Sequence, residues 1–222
     1  MFGRSTTIIL ASLSLASTAG AAVVALSTPS GLAAGTKFRF LFVTTSDRDA
    51  LDHRVNAYNS FVNTDAGGAT YNGSVVSWKA IASTSTVDAR DNVGGYGDSV
   101  AVYLVNGTKI ANDMTTGTNG LWSGSVLAAP RIGISSQPRA TWVFTGSLAN
   151  GTKASAEFGN PSGDTMIGFS LFTSGEWLAS GPGNAVHSYA LYGVSQELTV
   201  IPAPGAIAVL GVAGLANRRR RR

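Results

Sequence analysis

The chain has 222 residues, with sixteen Lys and Arg against twelve Asp and Glu, a formal net charge of +4 and no cysteine. That length suits one domain with a single core. The missing thiols exclude disulfides, thiolate metal sites and a cysteine nucleophile, so stability has to come from packing alone.

In chain order, Arg4 precedes an apolar run over residues 8–16, and Ala19-Gly20-Ala21 has the small-x-small form of a signal-peptidase site. Residues 1–21 therefore read as a signal peptide forming a short helix, cleaved after Ala21, with residues 22–200 as a single extracellular domain. Low charge (13%), 27 glycines and many Ser, Thr and Asn describe a β-rich domain with many tight turns. Residues 27–35 look like a surface connection. Over residues 37–44, Phe38, Phe40 and Phe42 alternate with Arg39, Leu41 and Val43, a strand period with both faces partly apolar.

The period then changes. Ser46 is placed as an N-cap, Asp47 and Asp49 suit the positive end of a helix, and Leu51, Val55, Tyr58 and Val62 recur at helical spacing. This predicts an amphipathic helix over 47–63, packed on the Phe38, Phe40 and Phe42 strand. After the Gly67-Gly68 turn, short strands are expected over 75–82, 100–105, 141–145, 167–172 and 189–200. Asn72, Asn106, Asn119 and Asn150 each precede a glycine, a tight-turn signal. Three of them also read as Asn-x-Ser/Thr acceptors, at Asn72, Asn106 and Asn150, and the turn reading is preferred. Together these elements make an α+β domain of mostly antiparallel strands with one or two helices.

The tail begins with Pro202-Ala203-Pro204-Gly205, continues as an uncharged segment and ends in Arg218, Arg219, Arg220, Arg221 and Arg222. As a helix, residues 201–217 would span roughly 25 Å at about 1.5 Å per residue. That barely crosses a hydrocarbon core of about 30 Å. The arginines would stay on the cytoplasmic side, making residues 205–217 a transmembrane helix and the cluster a membrane stop. Arg4 and the five terminal arginines belong to the two terminal segments, which leaves ten basic residues against twelve acidic ones, about −2 for the domain. Nothing in that balance supports nucleic-acid binding.

Residues 201–222 resemble the PEP-CTERM sorting signal of exopolysaccharide-producing Gram-negative bacteria, in which a Pro-Glu-Pro motif precedes an apolar helix and an Arg cluster. Ala203 stands where that family has glutamate. The resemblance implies handling by signal peptidase and the Sec translocon, an intermediate tethered to the inner membrane, and release by an exosortase-type enzyme to the cell surface or medium. A plain C-terminal anchor is the alternative. The succession Phe40-Leu41-Phe42-Val43-Thr44-Thr45-Ser46, Ser77-Trp78-Lys79-Ala80-Ile81-Ala82-Ser83-Thr84, Val87-Asp88-Ala89-Arg90-Asp91, Val102-Tyr103-Leu104-Val105-Asn106-Gly107, Leu121-Trp122-Ser123-Gly124, Trp142-Val143-Phe144-Thr145-Gly146 and Leu191-Tyr192-Gly193-Val194 resembles the endostatin-like branch of the C-type-lectin-like fold.

For chemistry, Asp88, Arg90, Asp91, Asn92 and Asp98 cluster around Gly94, Gly95 and Gly97, and their oxygens suit calcium. The spacing is not that of an EF-hand, and Arg90 suggests internal pairing, so a structural loop and a calcium site both stay open. Gln137-Pro138 is followed by Arg139, and Asn160-Pro161 lacks a preceding glutamate, so the calcium-dependent sugar motif of C-type lectins is not met. His53 and His187 form no zinc motif, and no Gly-x-Ser-x-Gly elbow occurs. No cofactor is called for. Trp78 and Trp142, inside strand patterns, are expected in the core; Trp122 and Trp177, beside glycine-rich loops, are expected at the surface as stacking platforms for exopolysaccharide. The expected function is a non-enzymatic surface or matrix protein. The alternatives are a secreted polysaccharide hydrolase using Asp88, Asp91 or Asp98, and a permanently anchored structural protein.

Overall fold

The computed structural model describes residues 23–202. The signal segment with Ala19 and Ala21, and the tail from Ala203 through Pro204, Gly205 and the five arginines, lie outside the described residues. Among the described residues no helix is long and apolar enough to cross a membrane.

The architecture is an α+β mix dominated by strands: β1 (Ala25–Leu26), β2 (Lys37–Val43), helix α1 (Val55–Asp65), β3 (Thr70–Tyr71), β4 (Ser74–Val75), β5 (Trp78–Ala80), helix α2 (Ala89–Val93), β6 (Ala101–Leu104), β7 (Lys109–Ala111), β8 (Trp142–Phe144), β9 (Asp164–Phe169), a 3₁₀ turn (Gly175–Trp177), β10 (Gly181–Asn184), β11 (Tyr192–Ser195) and β12 (Leu198–Thr199). The main sheet has the order β5-β11-β2-β6-β7, with β12 also paired to β2. Its pairings are antiparallel except β2 with β6, where Phe38 faces Ala101 and Leu41 faces Leu104. A second, antiparallel sheet runs β10-β9-β8, and a third joins β1, β3 and β4.

Strand β2 is the centre of the molecule because both of its faces are largely apolar; the exception, buried Arg39, donates to the Ser195 carbonyl at 3.0 Å. Every residue from Phe38 to Val43 is buried. Phe38 meets Phe40, Tyr71 and Tyr103 edge-on, and Phe42 meets Trp78 in the same way at 4.7 Å. One hydrophobic cluster runs from Leu26 through β2 to Trp122, Trp177 and Val200, so the three sheets share a core.

The helix predicted over 47–63 begins eight residues later. Arg48 exchanges both backbone hydrogen bonds with Tyr189, each 3.0 Å, and the Ala50 N–H donates to the Ala185 carbonyl at 2.9 Å. Those bonds hold residues 48–50 extended, so Ser46 caps nothing and Leu51 is 54% exposed. The Asp65 carboxylate at the end of α1 accepts from the Thr45 and Ser46 N–H groups and the Thr45 hydroxyl, tying the helix to the end of β2. The helix itself packs against β5 and β11 rather than lying along the phenylalanines of β2.

The strands expected from the sequence are present but shorter, except that the one expected over 167–172 keeps its length and lies three residues earlier, as β9. The 75–82 segment splits into β4 and β5, and the 189–200 segment into β11 and β12. Strands β1, β3, β7 and β10 and helix α2 had no expectation; each is five residues or fewer, too short for a periodic pattern to declare itself. Asn72 and Gly73 both have positive φ, 51° and 80°, making the two-residue turn that closes Tyr71 against Ser74.

Candidate functional site

The four tryptophans distribute differently from the expectation. Trp122 and Trp177 are 0% exposed, whereas Trp142 is 41% exposed. Two glycines distant in sequence make the notches that receive the buried tryptophans. A Cβ at Gly151 would stand 2.5 Å from Trp122 Cε3, and Gly168 lies against the Trp177 backbone so closely that no Cβ fits. Trp177 also stacks at a tilt on Tyr192, with ring centroids 5.3 Å apart. Neither indole can therefore offer a face to a sugar ring in this fold. Trp78 is in the core, as expected.

Trp142 opens β8 directly opposite Phe169 of β9, and their rings lie 4.7 Å apart at centroid. Phe169 in turn lies 5.4 Å from Phe172, in the turn that follows β9. Phe172 is 37% and Leu171 40% exposed, so Trp142, Phe169 and Phe172, with Leu171 adjacent in sequence, form one apolar strip where β8 begins and β9 ends. The strip is rigidly mounted: the Ser170 hydroxyl donates to the Arg139 carbonyl and accepts from the Thr141 N–H, both at 2.9 Å. The Val126 N–H donates to Thr173 and the Leu127 N–H to Ile110, which brings the following segment alongside. A cleft of about 350 Å³ results, lined by Leu104, Asn106, Thr108, Arg131, Ile132 and Leu171.

Arg131 is exposed in that cleft and has no acidic partner among the described residues. Neighbouring Arg139, by contrast, is held by the Asp47 carboxylate at 2.6 Å and donates to the Thr44 carbonyl. The site thus combines an apolar strip of mutually tilted rings, 51° and 58° between neighbouring planes, with one uncompensated guanidinium. A stretch of aromatic faces suits the C–H faces of sugar rings, and the fork of an arginine suits a carboxylate.

Within the acidic cluster, Asp88 is the carboxylate with partners. Asp88 Oδ1 accepts from the Lys153 N–H at 2.8 Å, and its Oδ2 lies 3.9 Å from Arg90. Asp91 is exposed in α2, and Asp98 follows the glycine turn over 94–97. Among the described residues no three His, Asp or Glu side chains are grouped to hold a metal ion, so Asp88, Asp91 and Asp98 do not come together. Asp98 instead shares an open cleft of about 530 Å³ with Glu197, whose carboxylate is bound by Lys37 at 2.7 Å. His53 and His187 are exposed and far apart in role: His187 Nδ1 meets the Tyr189 hydroxyl at 3.2 Å, and His53 precedes α1.

The aromatic strip was missed because it is assembled across strands. Trp142 alone looks like any strand residue; only its register against Phe169, at the end of the sheet beyond buried Phe144, brings the two rings together. No model of a known protein family matches the chain, and no curated protein matches it.

Proposed function

We propose that this chain is an exported, non-enzymatic surface or matrix module that binds extracellular polysaccharide, with its contact surface at Trp142, Phe169 and Phe172. The exposed aromatic strip is the observation that carries this reading. Export rests on the terminal segments: a signal peptide ending at Ala21 and a PEP-CTERM-like tail at Pro202, Ala203 and Pro204 followed by Arg218–Arg222. The mixed α+β architecture is compatible with a lectin-like fold. Arg131, uncompensated beside the strip, favours an acidic polysaccharide over a neutral one.

Binding of the exported protein to a uronic-acid polymer, followed by affinity electrophoresis, tests the proposal. Trp142→Ala should weaken binding roughly tenfold, the equivalent of losing about 1.4 kcal/mol of aromatic contact. Leu148→Ser, at an exposed apolar residue elsewhere, should leave it unchanged. Equal binding by wild type and Trp142→Ala would refute the site. Mass spectrometry of the exported protein should find the first residue after Ala21 and the last near Pro204; an intact C-terminus in the envelope fraction would instead support a permanent anchor.

A second reading has one observation in its favour, the cleft shared by Asp98 and Glu197. Polysaccharide cleavage abolished by Asp98→Asn would establish a carboxylate-dependent hydrolase in place of a binding module.

A further inference from the structure

Four Asn-Gly pairs occur in the described chain, and the structure treats one of them differently. We infer that Asn72 is a site of spontaneous backbone modification, through a succinimide to aspartate and isoaspartate, while Asn106, Asn119 and Asn150 are protected by the fold. The reaction needs the amide nitrogen of the following residue to lose its proton and attack Asn Cγ. A new N–Cγ bond forms, the Cγ–Nδ2 bond breaks and the side-chain nitrogen leaves as ammonia. Water then opens one of the two imide carbonyls, so the net change is one water consumed and one ammonia released. Glycine in the second position leaves that nitrogen sterically open, so whether the nitrogen is free decides between the pairs.

At three pairs it is not free. The Gly107 N–H donates to the Leu104 carbonyl at 2.8 Å, that of Gly120 to Gly117 at 2.9 Å and that of Gly151 to Leu148 at 2.9 Å. The asparagine side chains are engaged as well at two of these: Asn106 Oδ1 accepts from the Thr108 N–H at 3.1 Å, and Asn150 Oδ1 from the Thr152 N–H at 3.1 Å and hydroxyl at 2.7 Å. Gly120 and Gly151 are also buried. At the fourth pair, both Asn72 and Gly73 are exposed, nothing stands within 4 Å of the Gly73 Cβ position, and its N–H has no acceptor among the described residues.

The consequence is local but reaches the core. An isoaspartate adds a methylene to the main chain and a negative charge inside a two-residue turn that has no slack. That turn sets Tyr71 opposite Ser74, and β3 is the strand on which β1 pairs, with Leu26 beside Tyr71. Tyr71 packs on Phe38 at 5.4 Å. Conversion is irreversible, so it marks the age of each molecule and loosens the third sheet as it accumulates.

The test is incubation of the folded, full-length protein in mildly alkaline buffer, with trypsin digestion and mass spectrometry that separates isoaspartate from aspartate. The four pairs fall in separate tryptic peptides, 55–79, 91–109, 110–131 and 140–153. Residue 72 should convert at least about fivefold faster than the other three, since each of those must first break a hydrogen bond worth about 1 kcal/mol. In denaturant the four rates should converge. Comparable rates at two or more sites in the folded protein would overturn the inference, as would a lead for residue 72 that persists after unfolding. Asn72→Gly, which keeps the positive φ, should abolish the reaction in peptide 55–79.

Discussion

Gly151 and Gly31 share a left-handed backbone, φ +77° and +80°, but differ in what surrounds them. Gly31 faces open space, so Gly31→Ala should cost only the backbone term, about 1 kcal/mol. Gly151 lies against the Trp122 indole, so Gly151→Ala adds overpacking and should cost about 2–4 kcal/mol. Denaturant midpoints of the two variants check the difference; equal losses would mean that the indole is not held where the structure places it. Asp52 offers a second test at this scale. The Arg54 guanidinium donates to its carboxylate at 3.0 and 2.9 Å, and the Arg54 N–H does so at 2.8 Å, which together hold its pKa down to about 2. A group depressed in the folded state contributes stability that is present above its unfolded pKa of about 4 and is lost as pH falls through about 2. A carboxyl NMR titration should place Asp52 near 2, and Arg54→Ala should return it toward the ordinary range.

Helix α1 closes the open edge of the main sheet with side-chain amides. The outward-facing polar groups of β5 meet asparagines instead of another strand: Asn63 accepts from the Trp78 N–H at 3.0 Å and donates to its carbonyl at 2.6 Å. Asn59 Oδ1 accepts from the Ala80 N–H at 2.8 Å, while Asn92 of α2 donates to the Ala80 carbonyl at 2.8 Å and pairs with Asn59 at 2.9 Å. An uncovered strand edge invites pairing with other chains, and this amide ladder removes it. Asn59 is buried, so Asn59→Ala strands the Ala80 N–H and leaves Asn92 Oδ1 without its donor, and should cost about 1–3 kcal/mol. Hydrogen exchange at Ala80 should accelerate in that variant by more than global destabilisation explains. If exchange there is unchanged, the helix does not protect the edge through Asn59.

Across the whole molecule, the pairings that build the core are distant in sequence. Strand β2 is bonded to β6 on one side and to β11 and β12 on the other, and the Ser195 hydroxyl accepts from the Phe40 N–H at 2.8 Å. Such a topology has little native structure that can persist in part, because β2 cannot keep its burial without strands from both halves of the chain. Unfolding should therefore be a single transition, with tertiary signals from Trp122 and Trp177 and the backbone signal coinciding in denaturant. Non-coincident transitions would show that the β8–β10 sheet is a separate unit.

Much of this is legible in residue order: the alternating phenylalanines of β2, the Asn-Gly turns, the strand-rich α+β mix and the absence of thiols are all local or compositional. Period and turn chemistry act over a few residues, so they survive in the sequence. What only the tertiary structure decided was anything that depends on partners far along the chain. The helix expected over 47–63 starts late because 48–50 are held extended by 185–189, and Gly151 and Gly168, distant in sequence, admit Trp122 and Trp177 to the core. The exposed aromatic strip exists because register sets Trp142 beside Phe169, and the Gly73 nitrogen is free because the hairpin pairs Tyr71 with Ser74 and leaves the N–H between them without an acceptor among the described residues.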